Sequence, residues 1–169
     1  SLSISPNLNY YGDIAMSVTV SDGQLTDSGS FTLVVNPVND APVLDAISNI
    51  DFDEDTSIQI TVSATDIEDD VLDFSISDGN NILADISDDI IVFTAAQDFN
   101  GSEDFTVTVS DEELIDIQIV TVTVNPVNDT PTAEDVSAET DEDTSIDIVL
   151  AASDIDSDDL TYLLDQDSA

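Results

Sequence analysis

Phe105-Thr106-Val107-Thr108-Val109-Ser110-Asp111 and, a turn later, Val120-Thr121-Val122-Thr123-Val124-Asn125-Pro126-Val127-Asn128-Asp129 alternate apolar with small polar residues, then break into acids, Asn and Pro. Period-two alternation puts alternate side chains on opposite faces of an extended chain, so each run predicts a strand with one buried face. The same text stands earlier. Val18-Thr19-Val20-Ser21-Asp22 matches 107–111, and Asn36-Pro37-Val38-Asn39-Asp40-Ala41-Pro42 returns 89 residues on as Asn125-Pro126-Val127-Asn128-Asp129-Thr130-Pro131. Asp53-Glu54-Asp55-Thr56-Ser57-Ile58 returns 88 residues on as Asp141-Glu142-Asp143-Thr144-Ser145-Ile146, and Asp66-Ile67-Glu68 as Asp154-Ile155-Asp156. A fixed period is the mark of a repeat array, and residues kept at segment ends mark joints.

The spacing predicts three pieces. Residues 1–36 are the C-terminal part of one repeat (strands E–G), 37–125 a complete repeat, and 126–169 the N-terminal part of the next (strands A–C). Both ends fall inside repeats, which is expected of a window on a longer chain. A sharper expectation is that one chain's last half-repeat is completed by the first of an identical copy, end to end, as an open filament.

Further alternating runs are Ile58-x-Ile60-x-Val62, matched by Ile146-x-Ile148-x-Leu150, then Leu72-x-Phe74-x-Ile76 and Ile90-Ile91-Val92-Phe93. With 43–50 and 82–86 they make about seven short strands per repeat. Strands at that density, with turn signals between them, predict an all-β, Greek-key, immunoglobulin-like sandwich, repeated in tandem.

The composition limits the partners. The chain has 39 acids, of which 31 are Asp, and neither Lys, Arg, His nor Cys, for a formal charge of −39. Such a charge disfavours a compact state through self-repulsion, which bound divalent cations or high salt would offset. With no cation to meet a phosphate, nucleic acid and anionic membrane surfaces are disfavoured. No apolar run is long enough to predict membrane insertion. Without His or Cys there is no nucleophile–base pair of the usual kind, and catalysis is not expected.

Laid over an up-and-down sandwich, the acids gather at its two ends. Asp53, Glu54 and Asp55 fall in the A–B turn, and Asp98 and Asn100 in the E–F turn, both facing the linker that holds Asn128 and Asp129. Asp66, Glu68 and Asp70 fall in the B–C turn and Asp111 in the F–G turn, both facing Asn39 and Asp40. Asp22 is the first repeat's counterpart of Asp111, and Asp154, Asp156 and Asp158 are the third repeat's B–C acids. Clusters of carboxylate, Asn and carbonyl oxygen without nitrogen or sulfur ligands suit a hard cation. Ca²⁺ accepts 6–8 oxygens from several loops, whereas Mg²⁺ needs a tighter octahedron. Zinc and copper are unsuited to such ligands. Turn preference alone would also place Asp and Asn in loops, but it does not explain recurring triplets beside a Pro-bracketed linker. The run Asp154-x-Asp156-x-Asp158 fails as an EF-hand, since Asp159 stands at the obligatory Gly and Asp165 at position twelve.

These motifs, with Phe99-Asn100-Gly101, resemble the bacterial cadherin-like and immunoglobulin-like tandem repeats of giant secreted adhesins, over essentially the whole chain. The resemblance implies calcium held between repeats by Glu54 of the A–B turn (and Glu142 for a further joint), the linker residues Asn39, Asp40, Asn128 and Asp129, the pairs Asp66 with Glu68 and Asp154 with Asp156, and Asp111. One acid pair is D-x-E, the E–F turn lacks a recognisable acidic motif, and the linker is one acid poorer than the cadherin pattern. The resemblance also implies an extracellular, secreted or cell-surface spacer that calcium stiffens, joined to neighbouring repeats; the alternative is a glycan- or surface-binding module of the same class.

Overall fold

The computed structural model describes residues 3–68, 70–156 and 159–164. Among these, every regular element is a strand. The first two, β1 (Gly12–Ser21) and β2 (Thr26–Val35), form an antiparallel hairpin, while residues 3–11 hold no strand, so the expected strand E is not seen there. The hairpin is exposed along most of its length, because residues corresponding to the rest of a sandwich do not pack on it.

Residues 43–125 fold into two facing sheets. One has the order β4 (Ile50–Asp53), β11 (Ile115–Asn125), β10 (Gly101–Ser110), β7 (Asp73–Ile76); the other has the order β5 (Ser57–Thr61), β9 (Ile90–Ala95), β8 (Ile82–Ser87). A short antiparallel pair, β3 (Val43–Leu44) with β6 (Ala64–Thr65), forms a separate two-stranded sheet just beyond the end of β5. The inward residues predicted from the alternation are the buried ones, Phe105, Val107 and Val109 on β10 and Val120, Val122 and Val124 on β11; in the unbroken apolar run of β9 the fold buries Ile91 and Phe93. Phe93 and Phe105 meet edge to face with ring centroids 5.2 Å apart, joining the two sheets at the centre; each such aromatic contributes about 2–3 kcal/mol through burial.

One expected strand is two. Residues 43–50 do not form one A strand: β3 pairs with β6 in one sheet, and β4 runs parallel to β11 in the other. The crossover is held by side chains of β11. Asp116 Oδ2 accepts from the Leu44 amide (2.9 Å), and Gln118 both accepts from the Ile47 amide and donates to its carbonyl (3.1 and 2.6 Å). Polar residues at inward positions of a strand made this switch, and the alternation pattern alone does not report it.

In the last segment only the counterpart of the β3–β6 pair forms, β12 (Thr132–Ala133) with β13 (Ala152–Ser153). The expected strand over 146–150 is absent: Ile146, Ile148 and Leu150 are exposed and unpaired. In the complete sandwich the matching residues of β5 pair with β9, and this sequence contains no counterpart of β9 for the third segment. A lone strand satisfies neither its backbone groups nor its apolar face.

Candidate metal centre

Local backbone geometry explains how loops deliver the acids. The turn before β5 places Asp55 in the left-handed region (φ 60°), and Asp143 repeats it (φ 60°); the turn before β10 does the same with Asp98 (φ 55°), matched by Asn9 (φ 58°). Asp and Asn tolerate this region better than most side chains. Tight reversals of this kind turn short carboxylates toward the ends of the sandwich.

At one pole Asp129 is the hub. Carboxylate oxygens of Glu54, Asp129 and Asp156 lie within 4.8 Å of one another, and so do those of Asp55, Asp98 and Asp129. Five acids from four segments thus converge: the turn after β4, the turn before β10, the linker, and the loop after β13. Glu54 is almost wholly buried, 2% exposed, and its Oε1 accepts from the Val127 amide at 2.7 Å. Its own amide donates to the Asn125 carbonyl, which ties the turn to the linker. Asp156 Oδ2 accepts from the Asp129 amide at 2.6 Å, and Asp154 Oδ1 from the Asp156 amide at 3.0 Å. Asp129 Oδ2 is buried and accepts no hydrogen bond. Burial first, then the charges of Asp98, Asp156, Asp55 and Glu54, push the Asp129 carboxyl above the usual aspartate range. An orphaned, desolvated oxygen among four other carboxylates fits a hard cation, and nothing in the donor set offers nitrogen or sulfur.

The other pole gathers Asn39, Asp40, Asp66, Glu68 and Asp111. Asn39 Nδ2 donates to Asp111 Oδ2 (2.9 Å), the Asp40 amide to Glu68 Oε2 (3.0 Å), and the Glu68 and Asp70 amides to Asp66 Oδ1 (2.9 and 3.2 Å). Asp66 Oδ2 is again buried without a partner. Asp111 is 7% exposed; the Leu114 amide, with Asn39 and the Glu113 amide, outweighs its burial and holds it below the usual range.

Other expected ligands stand apart. Asp53 is exposed and its carboxylate accepts from Asn125 Nδ2 at 3.4 Å; Asn100 is exposed; Asn128 donates from Nδ2 to the Asp129 carbonyl. Asp70 takes part through its amide, not its exposed side chain. Asp22 caps its own hairpin turn, where the Leu25 and Gln24 amides hold it below the usual range. Glu142, the counterpart of buried Glu54, is exposed. Asp158 lies outside the described residues.

Sequence reasoning missed Glu103. Its carboxylate accepts from the amides of Asn80 and Asn81 (both 2.8 Å), from Asn81 Nδ2 (3.0 Å) and from the Ile82 amide (3.4 Å). Burial pushes this carboxyl up, yet the donors prevail and it lies below the usual glutamate range. The available signal was an acid at an inward position of β10, in register with Phe105 and Val107.

A two-sheet sandwich with parallel β4–β11 pairing and oxygen-only acid groups at its ends is an immunoglobulin-like module. The bacterial Ig domain model matches residues 39–123, and the chain belongs to that family. Chitinase A of Pseudoalteromonas piscicida is 32% identical over 109 residues, 63% of this chain, and the chain spans only 13% of that relative's length. Similar solved structures include an endo-fucoidan hydrolase of glycoside hydrolase family 107 (TM-score 0.40, 20% identity, 73% of this chain and 20% of that one). They also include domains 1–6 of the surface layer protein SbsC (TM-score 0.42, 13% identity, 73% and 18%) and titin domain M7 (TM-score 0.38, 13% identity, 53% and 99%).

Proposed function

We propose that this chain is a non-catalytic, extracellular spacer of a bacterial surface protein or adhesin, whose joints are stiffened by calcium. The observation that carries the reading is Asp129: a linker residue with a buried, partnerless oxygen, facing Glu54, Asp55, Asp98 and Asp156. Glu54, Asp55 and Asp98 belong to the sandwich that the linker leaves, and Asp156 to the segment it enters. A cation bound there would tie the two together and cancel the repulsion that straightening brings. The second pole, around Asp66, Glu68, Asn39, Asp40 and Asp111, would take a cation in the same way. Because calcium would bind the assembled joint more tightly than the open one, it stabilises by RT ln(1 + [Ca]/Kd), about 2.7 kcal/mol at a hundredfold excess.

Small-angle scattering of the chain with calcium and with EDTA tests this. The expected result is a longer, narrower distance distribution with calcium; identical profiles would sink the stiffening role. The partial match to Chitinase A favours a second reading, a glycan-contacting module within a carbohydrate-active secreted protein. Retention of the chain on chitin or on bacterial surface polysaccharide would favour that reading over a spacer.

A further inference from the structure

The switch of the A strand between sheets leaves an edge open. β5 pairs with β9 on one side only, and no strand covers its other side among the described residues. The direction of its backbone groups follows from the ladder. The Val62 amide donates to the Asp89 carbonyl, and the Asp45 amide on the opposite side donates to the Ser63 carbonyl. Hydrogen-bonding direction alternates along an antiparallel strand. Ile58 and Ile60 therefore bond to β9, while Ser57, Gln59 and Thr61 turn their N–H and C=O groups outward.

That edge borders a groove of about 440 Å³ between β5 and the crossover that leads to β4. Ile47, Ile58, Ile60 and Val62 form its apolar floor, and Asp45 and Asp51 stand on its rim. Natural edge strands are usually guarded by charges or Pro, yet 56–65 is a run of ten residues with neither, in a chain where 23% of residues are charged.

We propose that β5 is a docking edge for an extended segment of a different polypeptide, one that alternates apolar with Lys or Arg residues. The partner strand would bond to the outward groups of Ser57, Gln59 and Thr61. Its apolar side chains would enter the groove over Ile58 and Ile60, and its cations would face Asp45 and Asp51. Strand addition of this kind takes affinity from the main chain and specificity from alternate side chains. Five residues of edge accept a segment of roughly 17 Å. Charge selects the occupant: a second copy of this chain carries −39 and no cation, so it meets the acidic rim with repulsion alone.

The test is an amide NMR titration of the chain, in EDTA, with a blocked peptide of alternating Lys and Val, and with its Glu/Val counterpart. Shifts confined to 45–51 and 57–63, present for the Lys peptide, absent for the Glu peptide and weakened by salt, support the proposal. No shifts at millimolar Lys peptide, equal binding of the Glu peptide, or concentration-dependent self-association through the same amides would overturn it. Gln59→Pro removes an outward N–H and no bond to β9, so it should abolish binding with little change in melting temperature; binding that survives it overturns strand addition. If that variant fails to fold, Asp45→Asn with Asp51→Asn serves instead: about fivefold weaker binding supports the rim's role, and unchanged affinity overturns it. Working in EDTA keeps the outcome separate from calcium at the poles.

Discussion

Glu103 and Asp129 are both carboxylates drawn out of water, and the fold treats them in opposite ways. Glu103, in the body of the sandwich, is met by three amides and an Asn side chain, and its carboxyl is held below the ordinary range. Asp129, at the pole, is met by four other acids, keeps an orphaned oxygen, and its carboxyl is pushed up. In the body, one charge organises a loop by collecting amides that would otherwise lack partners. At the pole, the backbone supplies too few donors for the number of acids, which leaves an Asp129 oxygen without a partner. The contrast separates an acid whose charge the fold compensates from a set of acids whose charges it leaves uncompensated.

The strongest break in that contrast is Gly79→Ala, beside the Glu103 clamp. A Cβ there would run into the Ile82 carbonyl oxygen and lie 2.7 Å from both Glu103 Oε2 and Phe105 Cζ. It should destabilise the sandwich by about 3 kcal/mol, equally with and without calcium, measured by urea unfolding. Calcium removal is next: EDTA should lower the stability of the linker-dependent contacts by up to about 2.7 kcal/mol relative to a hundredfold excess of calcium, read as a drop in melting temperature. Glu103→Gln should cost about 1–2 kcal/mol, because an NH₂ replaces one acceptor oxygen facing the amides.

The same variant should flatten the acid limb of the stability curve. Glu103's folded pKa lies below its unfolded value near 4.5, so its contribution is present above that value and is lost as pH falls through the lower folded value. Asp129 has the reverse sign. Its folded pKa is raised from the usual 3.8, so its contribution is present below that value and is lost as pH rises through the folded one. Asp129→Asn should therefore have the smallest effect in EDTA at neutral pH, a slight gain in stability, together with a blunted response to calcium by calorimetric titration. A variant that loses stability in EDTA and keeps its calcium response would show that Asp129 is not the hub.

Much of the sandwich was legible in the residues. Alternation at 105–109 and 120–124 marked the buried faces, because a pleated strand sorts side chains by parity whatever surrounds it. The convergence of linker and turn acids on common ends was also legible, since up-and-down strands send alternate turns to the same pole. Parity could not show that 43–50 divides between two sheets, because Asp116 and Gln118 impose that split from a strand some seventy residues away.

Local pattern and composition already carry the strand faces, the 88–89-residue recurrence and the oxygen-only chemistry of the ends. Only the packed fold shows which acids come together. It buries Glu54 against the Val127 amide, sets Asp129 among four other carboxylates while leaving Asp53 and Asn100 outside, and gives Glu103 its donors. The physical reason is that desolvation and charge–charge energy depend on distances between groups far apart in the chain, and a one-dimensional pattern carries no such distances.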